Sequence, residues 1–202
     1  VNDFILRYRW QAFLLLGLIA TYRMSDTVMG VMANVFYIDQ GFTKDQIASV
    51  SKLFGLIMTL VGPGAGGLLI VRFGILPILF IGGSASAATN LLFMLLSGMG
   101  ADLQMLIFTI SADNFSSGLA TAAFVAYLSS LTNLKFSATQ YALLSSIMLL
   151  LPRLIGGYSG VLVEKFGYAD FFLITALMLS LIHIFRAHEP ERISYAVFCL
   201  KK

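Results

Sequence analysis

Six apolar stretches run almost the whole length of this chain, and charged residues sit inside several of them. They fall near residues 11–37, 46–71, 75–98, 103–131, 138–163 and 169–185. A helix needs about 20 apolar residues to cross the hydrocarbon core of a bilayer, and each stretch is of that order or longer. The sequence therefore predicts an all-α, polytopic membrane protein with six transmembrane helices. Only 11% of the residues are charged and 58% are hydrophobic, where a soluble domain carries about 25% charge. Too little polar surface exists to cover a large soluble core.

The two ends are read apart from the rest. The chain begins at Val1 rather than Met, so the natural N-terminus is expected to lie upstream. No secretory signal is visible, because the first apolar stretch is too long and five more follow. At the other end, LSLIHI (179–184), FRAHE (185–189) and ISYAVFCLKK (193–202) read as translated sequencing-adapter sequence. Residues 179–202 are accordingly set aside as a non-native tail, the alternative being a native amphipathic segment. That tail holds His183, His188 and Cys199, the only His and Cys of the chain, and four of its thirteen basic residues. Without it, nine basic residues face eight acidic ones. The basic balance thus gives no support to nucleic-acid binding, and no thiol chemistry is left to consider.

Breaks between the stretches are short, so no second domain is marked. They fall at 38–45, 72–74, 100–102, 133–137 and 164–168, with Thr43 placed to cap the second helix. Arg7, Arg9, Arg72 and Lys135 fall on one face of the membrane. Lys44 and Lys165 share the other with Asp39, Asp45, Asp102, Glu164 and Asp170. The positive-inside rule then puts the N-terminus and Arg72 in the cytoplasm.

A weak internal repeat accompanies this pattern. GFTKDQ (41–46) is echoed by KFSATQ (135–140), and GLLIVRFG (67–74) by GVLVEKFG (160–167). Three helices separate the copies, so their topologies are opposite. The expectation is one bundle over 1–178 made of two inverted triplets, about 11–98 and 103–178. Major facilitator transporters nest such repeats within each six-helix half.

Charges in the apolar stretches are the candidate functional residues, since an Asp or Arg at mid-membrane costs at least about 2.5 kcal/mol. In the first stretch, Arg23 and Asp26 lie on one helix face, which Thr27, Gly30, Asn34 and Tyr37 extend. The alternative reading is a self-neutralising pair that only holds helices together. In the fourth, Asp113 and Asn114 are followed at helical spacing by Ser117, Thr121, Phe124 and Tyr127. Asp113 has no cation within a turn of its own helix, which suits a proton carrier; the alternative is a helix–helix anchor. In the fifth, Arg153 follows Pro152 and is placed to pair with Asp113 or Asp26, or to bind an anionic group. Lys52 is read as snorkelling to the outer interface. GPGAGG (62–67) and GGYSG (156–160) read first as close-packing runs, and neither has the strand or GK[ST] of a phosphate loop. No metal set, Ser–His pair or marked carboxylate couple remains, so an enzyme is not expected.

The run DNFSSGLATAAFVAYLSSLTNLKFSATQYALLSS (113–146), followed by LPRLIGGYSG (151–160), closely resembles the AmpG-type muropeptide permeases. YRMSDTVMGVMANVFYIDQGF (22–42) matches the same family, and the similarity covers roughly 22–178. The resemblance implies a proton-driven major facilitator permease of the bacterial inner membrane. It would import N-acetylglucosaminyl-1,6-anhydro-N-acetylmuramoyl peptides for peptidoglycan recycling and β-lactamase induction, with the proton gradient as energy source and no cofactor. The chain would be its C-terminal six-helix half. Its partners would be the lipid bilayer, a glycopeptide substrate and the missing N-terminal half. Asp26 and Asp113 would then couple protons or pair with cations, Arg23 and Arg153 would pair with them or bind peptide carboxylates, and Asn34, Tyr37, Asn114, Ser117 and Tyr127 would line the cavity. Another facilitator cargo (a sugar, a nucleoside or an acyl-coenzyme A) and a non-transporting scaffold or signalling subunit remain the alternatives.

Overall fold

The computed structural model describes residues 24–131 and 137–187. Arg23, the start of the first apolar stretch, most of the fourth break and residues 188–202 lie outside them. All regular structure in the described residues is helical. Six helices follow in order: α1 (Met24–Asp39), α2 (Lys44–Phe73), α3 (Ile75–Met99), α4 (Leu103–Leu131), α5 (Ser137–Gly156) and α6 (Ser159–Ala187). Among them, α2 and α3 are long and apolar enough to cross a membrane.

The first breaks fall where the sequence placed them. Thr43 closes a capping box at the start of α2. Its hydroxyl accepts from the Gln46 amide, and the Gln46 side chain accepts from the Thr43 amide. Two orphan donors of the first turn are thereby satisfied. Replacing Thr43 by Ala is expected to lower the melting midpoint of the purified protein by the equivalent of about 1 kcal/mol. An unchanged midpoint would show that this turn needs no cap. At the start of α4, Asp102 Oδ1 does the same work, accepting from the Gln104 and Met105 amides at 2.8 and 3.1 Å.

The later boundaries differ from those read in the sequence. The fifth apolar stretch, 138–163, is not one helix: α5 ends at Gly156, Gly157 and Tyr158 form a turn, and α6 begins at Ser159. Pro152 lacks an amide proton, and two successive glycines resist helix. The turn is closed by Gly157 N to Arg153 O at 3.3 Å and Tyr158 N to Ile155 O at 2.9 Å. The sixth stretch starts beyond a second corner, at Gly167, inside α6. A third departure lies in α2, which widens into a π-helical turn over Ser51–Gly55. Lys52 sits in that turn with its side chain exposed.

Gly74 (φ 87°, ψ 170°) and Gly167 (φ 80°, ψ 171°) share one backbone conformation, and each ends a copy of the echoed octapeptide. Positive φ favours glycine at both. The likeness extends to the packing. Helix α1 packs on α5 and α6, α4 packs on α2 and α3, and α3 packs on α6. Exchanging the first three helices with the last three leaves that pattern unchanged. The two apolar clusters match in the same way. In one, Ile78 and Leu79 meet Leu119, Ala120, Ala123 and Phe124. In the other, Phe171 and Phe172 meet Met32, Ala33, Phe36 and Tyr37. The spacings are the same, and each pair lies equally far beyond its corner glycine. Asp26 and Asp113 precede their own sets by equal intervals as well.

Small residues let the helices approach. A Cβ on Gly62 would lie 2.5 Å from the Phe115 carbonyl oxygen, and one on Gly118 2.6 Å from Pro63 Cδ. The GPGAGG run is therefore a contact surface for α4. Gly156 is packed against Val31 of α1. The outer face of α2 is another matter. Leu53, Leu56, Ile57, Leu60, Leu68 and Val71 are all exposed on it. An apolar face of that extent cannot stay in water and calls for lipid or further protein.

Candidate functional site

A polar seam runs through the bundle where α1, α3, α4 and α6 meet. Asn90 Nδ2 on α3 donates to Ser25 Oγ on α1 at 2.7 Å, and Ser25 Oγ donates to the Thr175 carbonyl of α6 at 2.5 Å. All three residues are buried. Next to them on α3, Thr89 Oγ1 reaches Asp113 Oδ1 on α4 at 3.2 Å. On the α2 side, Thr59 Oγ1 lies 3.0 Å from Asn114 Oδ1, and Asn114 Nδ2 donates to the Ile110 carbonyl at 2.8 Å. Gly55, the last residue of the π-helical turn, packs against that same carboxamide. π-bulges are frequent at functional sites.

The seam is expensive for a fold to keep. Ser86 Oγ, Asn90 Oδ1 and Thr109 Oγ1 are buried and find no hydrogen-bond partner among the described residues. Each such group costs about 1–3 kcal/mol. Packing alone gives no reason for hydroxyls and carboxamides on α3, which carries no charged residue.

The residues singled out from the sequence fall into three groups. Asp26 and Asp113 are half-buried and both engaged by neighbours. Asn34, with Gly30 beside it on α1, faces outward, and nothing lies within 4 Å of a Cβ at Gly30. Ser117 is half-buried and Thr121 exposed on the matching side of α4. These are open faces. Tyr37 and Tyr127, by contrast, are packed into the apolar clusters, Tyr37 stacking on Phe93 and Tyr127 tilted against Phe124. The α4 stripe thus begins at an open face and turns into the core at its far end. Arg153, expected to pair with Asp113 or Asp26 or to bind an anionic group, lies exposed in the last turn of α5. Arg23 lies outside the described residues.

Sequence reading missed Ser25, Thr59, Ser86, Thr89, Asn90 and Thr175. The signal on α3 was present. Ser86, Thr89, Asn90 and Phe93 recur at helical spacing on one face. Uncharged hydroxyls in an apolar helix are a weak signal because they can bond their own backbone, as Thr175 and Ser116 do.

One end of the bundle is tied together. Tyr168 Oη, beside the Gly167 corner, donates to Asp39 Oδ2 at 2.5 Å, and Gln40 Nε2 donates to the Ser97 carbonyl at 3.4 Å. Desolvation, with the Asp39 carboxylate beside it, pushes the Tyr168 hydroxyl up to about 12. The proton in that bond therefore belongs to Tyr168 throughout the physiological range. Asp39, Ser97 and Tyr168 thus lie at one end of the bundle.

Bare apolar helices around a buried polar seam define this chain as part of an integral membrane protein. Comparison with known proteins shows what the chain is similar to. It is 39% identical over 157 residues to the protein named transporter AmpG 4 of Rickettsia conorii, covering 78% of this chain and 38% of that protein. Transporter AmpG 1 of Rickettsia prowazekii is 34% identical over 177 residues, 88% of this chain and 40% of its own length. Transporter AmpG 3 of the same organism is 33% identical over 160 residues, 79% and 38%. No family model matches the chain. The chain is homologous to AmpG-named transporters over about four-fifths of its own length, the family that the run at 113–146 resembles, and it spans about two-fifths of the length of these relatives.

Proposed function

We propose that this chain is the C-terminal six-helix bundle of a proton-coupled major facilitator permease in a bacterial inner membrane. Its cargo is an anhydromuropeptide recovered from the cell wall, feeding peptidoglycan recycling and β-lactamase induction. The observation that carries the reading is the kinship with AmpG-named transporters over four-fifths of the chain. The exchange pattern of the helix contacts supports two inverted triplets, the arrangement from which such halves are built. The equal placement of Asp26 and Asp113 in their triplets supports a shared role in moving protons or pairing with cations. Asn34, Ser117 and Asn114 are the reachable polar groups of the two stripes and are assigned to the cargo. Tyr37 and Tyr127 are assigned to packing. A non-transporting scaffold would require the buried charges to form closed pairs, and the kinship with AmpG-named transporters does not favour it.

The test uses the intact parent permease, expressed in cells lacking their own muropeptide permease, with labelled anhydromuropeptide offered outside. Uptake that collapses with a protonophore is the expected result. Absence of uptake by a well-inserted protein would rule out this cargo and turn the search to sugars, nucleosides and acyl-coenzyme A.

A further inference from the structure

The two echoed octapeptides share a corner and differ by one charge. GLLIVRFG closes α2 at Gly74, and GVLVEKFG runs to the corner at Gly167 inside α6. In each, a cation lies over the ring of the phenylalanine that follows it. Arg72 is 5.4 Å from the Phe73 centroid and Lys165 is 5.3 Å from that of Phe166. Such a contact holds a cation against an apolar surface. The copies part at the residue before the cation, which is Val71 in one and Glu164 in the other.

The corners also lie at opposite ends of the bundle. Tyr168, beside Gly167, is bonded to Asp39 at the end of α1. Helix α2 starts close by at Lys44 and runs 30 residues away from that end, about 45 Å at the rise of a helix. Asp39, Asp45, Asp102, Glu164 and Asp170 all lie at the Tyr168 end. Among the described residues, no carboxylate lies at the Arg72 end. The surface around Arg72 is apolar and bare. Leu69 and Ile70 pack on the core, which leaves Leu68 76% and Val71 88% exposed, with Phe73 exposed beside them. A ligand for this corner needs an anionic group for the guanidinium and hydrocarbon for the three apolar side chains. A phospholipid has both; a free phosphate has only the first. The planar guanidinium fits phosphate oxygens as a two-pronged donor. A zwitterionic headgroup brings its own cation, which no carboxylate at this end would receive. An anionic headgroup brings none.

We propose that Arg72 and Phe73, with Leu68 and Val71, form a binding site for an anionic phospholipid. The guanidinium, held over the Phe73 ring, takes the phosphate, and the exposed side chains take the upper part of the acyl chains. The Lys165 corner is not such a site, because Glu164 and Asp170 already supply negative charge there. The site needs a membrane and no cargo, so it stands or falls apart from the transport reading.

The test places the intact parent permease in nanodiscs of equimolar phosphatidylglycerol and phosphatidylcholine. The lipids that stay bound after transfer to detergent are counted by native mass spectrometry. Wild type is expected to retain phosphatidylglycerol over phosphatidylcholine. Arg72→Gln should retain it about fivefold less, the factor that corresponds to ~1 kcal/mol for one basic residue at an anionic surface. Phe73→Leu keeps the charge and the apolar surface, and should retain about two- to fivefold less through loss of the ring. Lys165→Gln should match wild type. The melting midpoint of wild type should rise when phosphatidylglycerol is added in detergent, and that rise should shrink in Arg72→Gln. Equal retention of the two lipids by wild type would overturn the proposal. So would undiminished retention by Arg72→Gln, which would hand Arg72 to a carboxylate elsewhere in the permease, or a loss in Lys165→Gln as large as that in Arg72→Gln.

Discussion

Replacing Asp113 by Asn in the intact permease is expected to abolish the proton-driven part of uptake. Asn has nearly the same shape and can still meet Thr89, so α3 and α4 should remain packed. What it cannot do is gain and lose a proton. If Asp113 carries the coupled proton, uptake should fall to the level that persists with a protonophore present. The drop should be about 5- to 150-fold, the range of a coupling free energy of ~1–3 kcal/mol. Asp26→Asn should do the same if the equal placement of the two carboxylates reflects equal duty. Unchanged uptake, with its proton dependence intact, would remove Asp113 from the mechanism and leave it as an anchor between helices. The hydrogen bond to Thr89 would then serve to hold α3 and α4 together.

Much of the helix layout was legible because bilayer and helix impose simple lengths. The stretches at 46–71, 75–98 and 103–131 became α2, α3 and α4 within a few residues. Thr43 was recognisable as a cap because its partner Gln46 follows three residues later. The break at Gly156–Tyr158 was not legible, because residues 138–163 are apolar throughout and hydropathy does not register a turn. Pro152 and the paired glycines are visible in the sequence, but GGYSG reads first as a close-packing run rather than as the end of a helix. Side-chain direction was the harder limit. Tyr37 and Tyr127 extend polar stripes at helical spacing, yet each stripe passes from an open face into a packed one as the helices cross. Arg153 was read at the middle of a span, whereas it lies exposed in the last turn of a helix that ends at Gly156. The seam residues Thr89 and Asn90 were hidden for another reason. Their function depends on which helix faces them, and sequence spacing on α3 alone cannot say that it is α4 and α1.

The largest structural effect is expected at the contact of α2 with α4. Gly62 and Gly118 face each other there so closely that each accommodates only hydrogen at Cα. Gly62→Leu must push a side chain into the Phe115 carbonyl, and Gly118→Val must displace the ring of Pro63. In both cases the obstacle is backbone or a rigid ring, so no rotamer change relieves it. The helices have to move apart, and overpacking of this kind costs about 1–3 kcal/mol or more. The same movement would strip Thr59 from Asn114 and expose the π-helical turn beside it. The purified permease should therefore melt at a lower temperature and reach the membrane in smaller amount, with uptake falling in step. Gly64 supplies the control, because nothing lies within 4 Å of a Cβ at that position. Gly64→Ala should melt at or above wild type, since alanine is favoured over glycine in a helix by up to ~1 kcal/mol. If Gly62→Leu melted with wild type, the close approach of α2 and α4 would not exist in the membrane. Asn114 would then lose its place beside α2, and with it the α2 side of the polar seam.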